Sequence, residues 1–131
     1  MAIRWLRPEQ VKELNRIVLY SREDHALNPG SDLEGAVNRP RGRYHYGELD
    51  TPYEIAAMYA IAMAKAHAFQ DGNKRTAVAT VRVFLKANGF DFDIGPNEDE
   101  ALQMMEDIAT DAVSLDDVTE WISQNTVGSS E

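Results

Sequence analysis

Two strongly apolar stretches, one on each side of a polar ten-residue segment, constrain the fold of this chain more than any other feature. Residues 55–64 read Ile-Ala-Ala-Met-Tyr-Ala-Ile-Ala-Met-Ala, and residues 77–85 read Ala-Val-Ala-Thr-Val-Arg-Val-Phe-Leu. A helix that is apolar on nearly every side must be buried at the centre of a domain. We therefore predict an all-α helical bundle with two buried central helices and the polar segment, 67–76, between them.

Residues typical of helix ends define the boundaries of the predicted helices. Thr51, Pro52 and Glu54 form the strongest helix start, a capping box with proline in the first turn. Gly89 is expected to end the second central helix, which begins at about residue 74. Four further helices are predicted at about 8–22, 32–38, 98–110 and 115–123.

The remaining segments are predicted to be irregular or extended. Ser31 and Glu34 form a capping box before the short helix at 32–38. The segment Arg39–Gly47 contains a proline and two glycines, and we expect an exposed loop or a short hairpin there. Residues 90–93 are predicted to form a short strand. The chain is predicted to form one domain, 1–123, followed by a frayed tail, 124–131.

Length, charge and cysteine content exclude several classes of protein. The chain has 131 residues, no cysteine and a formal net charge of -9. Disulfides and thiolate metal sites are excluded, and direct binding of nucleic acid, which needs a basic face, is disfavoured. The first residues lack an apolar signal core, and the apolar run at 55–64 is too short to span a bilayer. We therefore expect a bacterial cytoplasmic protein that does not contact a membrane.

The charges are distributed unevenly along the chain. Residues 1–86 hold all 13 Lys and Arg against 10 acidic residues, a net of +3, whereas residues 87–131 hold 12 acidic residues and no Lys or Arg. A run of like charges usually forms a solvated surface. The alternative is that the acidic end binds a basic segment of a partner.

The polar segment His67-Ala-Phe-Gln-Asp-Gly-Asn-Lys-Arg-Thr76 contains the candidate catalytic residues. His67 falls at the end of the first central helix, where the carbonyl groups favour a protonated imidazole, as a general base requires. Asp71 is a candidate ligand for Mg²⁺, which is commonly held by one or two carboxylates beside phosphate groups. The structural alternatives are a helix-end histidine and a turn aspartate. Phe69 is expected to be a core residue.

The second half of this segment resembles an anion-binding site in its chemistry. Gly72 permits a sharp turn, Asn73 is expected to cap the second helix, and the amides of residues 73–76 then face whatever precedes it. Lys74 and Arg75 add two positive charges that oppose the helix dipole. This local inconsistency indicates an anionic ligand, and we expect phosphate groups to bind to Gly72, Asn73, Lys74, Arg75 and Thr76.

Residues His67 to Arg75 resemble the signature of the Fic/Doc family, H-x-F-x-[D/E]-G-N-x-R, and match it at every defined position. The resemblance extends over 3–122 and includes Ala36-Val-Asn-Arg-Pro40, similar to the family's A-x-x-R-P element. Lys74 after Asn73 is the Doc-type pattern, whereas Fic adenylyltransferases usually have glycine there. The resemblance implies a Doc (death-on-curing) toxin of a type II toxin–antitoxin pair. Such a toxin would transfer the γ-phosphate of ATP to a threonine of elongation factor Tu.

The resemblance also implies roles for individual residues. His67 would be the base, Asp71 would hold Mg²⁺, and the nucleotide phosphates would be bound by Asn73, Lys74 and Arg75. Lys65, two residues before His67, would reach the same site. Ser31 and Glu34 are one residue too close for the inhibitory helix [S/T]-x-x-x-E-[G/N], so inhibition is expected from a separate small antitoxin, Phd-like or other.

Two alternatives to a kinase toxin remain open at this stage. The same pocket would support transfer of AMP from ATP if the nucleotide bound in the opposite direction. A non-catalytic partner-binding module is the other alternative, although the intact signature argues against it.

Overall fold

The computed structural model describes residues 2–19 and 27–128, and it confirms the all-α prediction. The helices in these residues are α1 Pro8–Val18, α2 Leu33–His45, α3 Pro52–Ala66, α4 Asn73–Ala87, α5 Glu98–Ala109 and α6 Leu115–Gln124. Two short strands, β1 Asp91–Phe92 and β2 Thr126–Val127, pair antiparallel, with Asp91 opposite Val127. No helix within the described residues is long and apolar enough to cross a membrane.

Helix α3 is the centre of the bundle, as its apolar sequence predicts. It packs against α2, α4, α5 and α6, and residues such as Ile55, Tyr59 and Met63 are almost fully buried. The Tyr59 ring lies 4.9 Å from that of Phe84 on α4, and its hydroxyl accepts a hydrogen bond from the Leu6 backbone N–H at 3.0 Å. Burial raises the pKa of the Tyr59 phenol, so this oxygen remains a neutral acceptor.

The predicted helix ends are confirmed where the capping signals are strongest. The Thr51 hydroxyl accepts a hydrogen bond from the Glu54 N–H at 3.1 Å, and the Glu54 carboxylate accepts one from the Thr51 N–H at 3.0 Å. Ser114 and Asp117 form the same reciprocal pair at the start of α6. Gly89 follows α4 with a φ of 92°, the left-handed conformation expected of a helix-terminating glycine.

The prediction of a loop over Arg39–Gly47 is wrong, because α2 continues through Pro40 to His45. Proline normally interrupts a helix, but Leu33, Ala36, Val37 and Pro40 form one buried face that packs on α3. Burial of that face outweighs the lost backbone hydrogen bond.

Three other boundaries also differ from the predictions. Asp32, not Ser31, caps α2, since its carboxylate accepts a hydrogen bond from the Gly35 N–H at 2.9 Å. The predicted tail is ordered up to Gly128, because Gln124 belongs to α6 and β2 pairs with β1; residues 129–131 lie outside the described residues. Helix α1 ends at Val18, and the predicted extension over 20–22 also lies outside them.

Candidate active site

The polar segment connects α3 to α4 by a short turn, which we call the motif loop, residues 67–72. His67 ends α3 in the left-handed conformation, with φ 46° and ψ 46°, and its side chain is exposed. A non-glycine residue adopts this conformation at a cost of about 1–2 kcal/mol, so the surrounding contacts must hold it there. The chain reverses direction at His67 and leaves the imidazole at the surface of the bundle.

Asparagine side chains provide most of those contacts. The Asn28 amide donates hydrogen bonds to the carbonyl oxygens of His67 and Phe69, both at 2.8 Å. The Asn28 backbone N–H donates to the Ala68 carbonyl at 2.8 Å. Phe69 is 1% exposed, which confirms that it is a core residue. Hydrogen bonds from Asn28 thus hold the backbone of the motif loop, and the buried Phe69 ring anchors the loop in the core.

The Asn73 side chain bonds to the backbone of the motif loop, whereas the sequence predicted that it would cap α4. Its carboxamide oxygen accepts a hydrogen bond from the Phe69 N–H at 3.1 Å, and its NH₂ group donates to the Phe69 carbonyl at 2.7 Å. Gly72, not Asn73, occupies the capping position of α4, and no side chain caps that helix. Both polar atoms of the Asn73 side chain thus bond to the backbone of Phe69, whose carbonyl oxygen also accepts from Asn28.

Asn15, a fully buried residue of α1, holds the other end of the loop. Its NH₂ group donates to the Asp71 carbonyl at 2.9 Å and to the Thr76 hydroxyl at 3.0 Å. Gly72 lies directly against it with a φ of 77°, and a Cβ on Gly72 would approach the Asn15 Nδ2 to 3.2 Å and a Leu19 methyl to 3.0 Å. Glycine is therefore required at position 72 both by conformation and by space.

A pocket of about 740 Å³ opens beside the motif loop. Its lining includes most of the predicted site residues, His67, Asp71, Gly72, Asn73, Lys74 and Arg75, together with Glu106 and Thr110 from the α5 side. The backbone N–H groups of Asn73, Lys74 and Arg75 have no hydrogen-bond acceptor among residues 2–19 and 27–128. The pocket therefore combines an imidazole, two carboxylates, two cations and a helix N-terminus, and its volume is that of a small-molecule site.

Two of the predicted phosphate ligands lie outside this pocket. Thr76 is fully buried: its hydroxyl accepts from Asn15 and its N–H donates to the Gly72 carbonyl at 2.8 Å. Lys65 does not line the pocket either, because its ammonium group forms an ion pair with Asp111, which follows α5. The prediction that Thr76 and Lys65 contact phosphate is not supported by this geometry.

Lys74 is placed in the pocket, but its ammonium group forms an ion pair with the Glu106 carboxylate of α5. Arg75 forms no ion pair within the described residues. It lies between the pocket and a second groove of about 340 Å³, whose lining includes Ile17, Val78, Arg82 and Glu98.

Asp71, the predicted magnesium ligand, has its carboxylate in the lining of the pocket. Its carboxylate accepts a hydrogen bond from the Gly72 N–H at 2.8 Å, and its side chain is exposed to the pocket. No cluster of three or more His, Asp or Glu within the described residues is suited to hold a metal ion by itself. This donor set fits Mg²⁺, which keeps several waters and takes one or two carboxylates plus substrate phosphates.

Comparison with known proteins identifies the family of this chain. The family model described as "Fic/DOC family" matches residues 5–85. The chain belongs to the Fic/Doc family. It is 30% identical over 122 residues to "Protein kinase doc" of Escherichia phage P1, a match that covers 92% of this chain and 94% of the relative. It is 38% identical over 92 residues to "Toxin Doc" of Mycolicibacterium smegmatis, covering 66% of this chain and 67% of that protein.

Three residues of the site were not found from the sequence. Asn15 follows Val11 by one helical turn on the buried face of α1, and a polar residue at that position was the available signal. Asn28 stands before Pro29 and Gly30 and resembles an ordinary turn residue. Glu106 is one of several acidic residues on an acidic helix, so nothing in the sequence distinguishes it.

Proposed function

We propose that this Fic/Doc chain is a toxin that transfers the γ-phosphate of ATP to a threonine hydroxyl of a translation factor similar to elongation factor Tu. The observation that carries the proposal is the pocket itself, in which His67, Asp71, Lys74 and Arg75 surround the exposed N-terminus of α4. The names of the two relatives, a protein kinase and a toxin, support the same assignment. Such a reaction would take place in the bacterial cytoplasm and would arrest protein synthesis.

The proposed chemistry uses the residues of the pocket in distinct roles. His67 accepts the proton of the threonine hydroxyl as its oxygen forms a bond to the γ-phosphorus. The bond from that phosphorus to the β,γ-bridging oxygen breaks, and ADP leaves. Lys74, Arg75 and the free N–H groups of α4 neutralise charge on the phosphates, which is where most of the catalysis of phosphoryl transfer arises. Bound Mg²⁺, held by Asp71 and phosphate oxygens, would supply further neutralisation.

Labelled ATP tests which part of the nucleotide is transferred. The purified protein is incubated with elongation factor Tu and ATP labelled at either the α- or the γ-phosphate. Label from the γ-position in the translation factor is the expected result. Label from the α-position would replace the proposal with AMP transfer, and no label from either position would favour a non-catalytic binding module.

We also propose a small antitoxin as the protein partner. The groove beside Arg75 supports this proposal, since it is lined by apolar residues, including Ile17 at 54% exposure, and reaches the edge of the pocket. A flexible segment that folds into such a groove would cover Arg75 and remain switchable by proteolysis. The charged residues of the lining are two arginines and one glutamate, so Glu98 is the one acidic residue of 87–131 that would contact the segment in this groove.

Binding of the product of the neighbouring gene tests the antitoxin proposal. We expect Ile17→Glu to weaken binding at least about tenfold, because it places a charge in an apolar contact. Tyr46→Glu, at an exposed residue that does not line the groove, is the matched control and should bind normally. Equal binding by the wild type, Ile17→Glu and Tyr46→Glu would show that the groove is not the binding site. If the neighbouring gene product does not bind the wild type, the antitoxin proposal is refuted.

A further inference from the structure

The ion pair between Lys74 and Glu106 lies inside the candidate active site. Both side chains line the pocket, and they remain 50% and 44% exposed, so the pair is accessible to a ligand. Lys74 comes from the first turn of α4, beside the free N–H groups, whereas Glu106 comes from the facing side of α5. Glu106 lies beyond residues 5–85, so it is not part of the region that the family model matches.

A carboxylate at this position is unfavourable for a pocket that binds phosphate. Glu106 repels an anionic ligand, and it also occupies the ammonium group that such a ligand needs. The pair is not required to hold α5 in place, because that helix is anchored by its buried residues Ala101, Met105 and Ile108. Half-exposed ion pairs also contribute little to stability. The structural role of Glu106 is therefore small compared with its effect on the charge of the pocket.

We propose that Glu106 is a positioning residue that acts through Lys74. It holds the ammonium group toward the pocket when no ligand is present, and it competes with phosphate for the same group. Bound phosphate must replace the Glu106 carboxylate at Lys74, so Glu106 lowers the affinity of the pocket for nucleotide. That the natural ligand is ATP rests on the proposed function, whereas the competition for Lys74 does not.

Binding of inorganic tripolyphosphate and of MgATP, measured by calorimetry at low salt, tests this proposal. We expect Glu106→Gln to bind both ligands about twofold to fivefold more tightly, the range that a partly exposed charge pair supports. Glu100→Gln removes the same charge from an exposed position on the same helix, outside the pocket lining, and should bind as the wild type does. Denaturant midpoints of all variants establish that they are folded.

A second substitution separates competition for Lys74 from a general charge effect. In a Lys74→Gln background, Glu106→Gln should gain clearly less affinity than in the wild type, since only direct repulsion of the ligand by Glu106 remains once the ammonium group for which both anions compete is gone. The proposal is overturned by unchanged affinity in Glu106→Gln, by an equal gain in Glu100→Gln, or by a full gain without Lys74. It is also overturned if neither the wild type nor Glu106→Gln binds tripolyphosphate or MgATP.

Kinetics distinguish this inference from the proposed function. With γ-labelled ATP, Glu106→Gln should lower KM for ATP by the same factor as the dissociation constant and leave kcat within about twofold, because Lys74 is released equally in the ground and transition states. Tighter binding without any transfer would refute the kinase and support the role of Glu106. Transfer of label with no change in affinity would support the kinase and refute the role of Glu106.

Discussion

Replacing Gly72 with alanine separates two reasons why glycine is needed in the motif loop. Gly72 has a φ of 77°, and a Cβ there would lie 3.0 Å from a Leu19 methyl and 3.2 Å from the Asn15 Nδ2. The left-handed conformation costs alanine about 1–2 kcal/mol, and crowding against Asn15, which is fixed by its own hydrogen bonds, adds about 1 kcal/mol. We therefore expect Gly72→Ala to lower the free energy of unfolding by about 2–3 kcal/mol.

Gly47→Ala is the matched control, since Gly47 has a φ of 80° and a Cβ there would meet nothing within 4 Å. It should show the conformational cost alone, about 1–2 kcal/mol. Urea unfolding measures both changes; a difference of about 1 kcal/mol corresponds to roughly 0.5 M in the midpoint at a typical slope. Phosphate transfer should fall at least about tenfold in Gly72→Ala only, because the shift moves Asp71. Equal destabilisation of the two variants, or full activity of Gly72→Ala, would refute the reasoning.

Three further substitutions test individual residues of the site. His67→Ala should reduce transfer of label about a hundredfold to ten-thousandfold with the unfolding midpoint unchanged, whereas His45→Ala should be fully active; wild-type rates in purified His67→Ala would refute the base assignment. Lys74→Gly should lower γ-phosphate transfer, and Lys74→Gln should lower it similarly if the lost charge is responsible; unchanged rates would make Lys74 a solvated residue. Asn15→Leu should cost about 1–2 kcal/mol of stability and reduce transfer, because the Asp71 carbonyl loses its donor; an unchanged urea midpoint and rate would contradict this role.

The central helices were predictable because their sequence leaves one solution. A helix such as α3 that is apolar on all sides cannot lie at the surface, and the Thr51 and Glu54 capping signals are local, so both were correct. The second half of α2, beyond the predicted helix 32–38, was missed for the opposite reason. Pro40 and Gly42 disfavour a helix locally, and only burial against α3, which depends on residues distant in sequence, reverses that preference.

The site shows the same division between local and distant causes. The pocket residues of the polar segment were found because they are consecutive in sequence and have distinctive chemistry. The partners of that segment, Asn15, Asn28 and Glu106, come from other elements, and no local pattern connects them to it. Thr76 was predicted to bind phosphate from its place in the first turn of α4, but the structure buries it and its N–H bonds to the Gly72 carbonyl.

The acidic half of the chain is explained in part by this geometry. Several of its carboxylates lie in the first turns of α5 and α6, where their negative charge interacts favourably with the positive end of the helix dipole. They include Glu98, Asp99, Asp116 and Asp117. Two others, Glu106 and Asp111, pair with the lysines on either side of the motif loop. The acidic end therefore has internal partners, and neither a fully solvated surface nor a basic partner accounts for it alone.

The carbonyl groups of the motif loop are held by neutral side chains, and the cations Lys74 and Arg75 follow the loop in the first turn of α4. These carbonyl groups accept hydrogen bonds from the neutral amides of Asn15, Asn28 and Asn73, so no cationic side chain is used to pair them. Lys74 and Arg75 are left at a helix N-terminus, where both oppose the dipole. Within the described residues only Lys74 has a carboxylate partner, Glu106, and that partner is exposed enough to be exchanged. The unfolded chain has no helix dipole to oppose these cations, so this arrangement costs folding energy that an anion in the pocket recovers. On the proposed function, the lost stability would be regained as affinity for a phosphate ligand in this pocket.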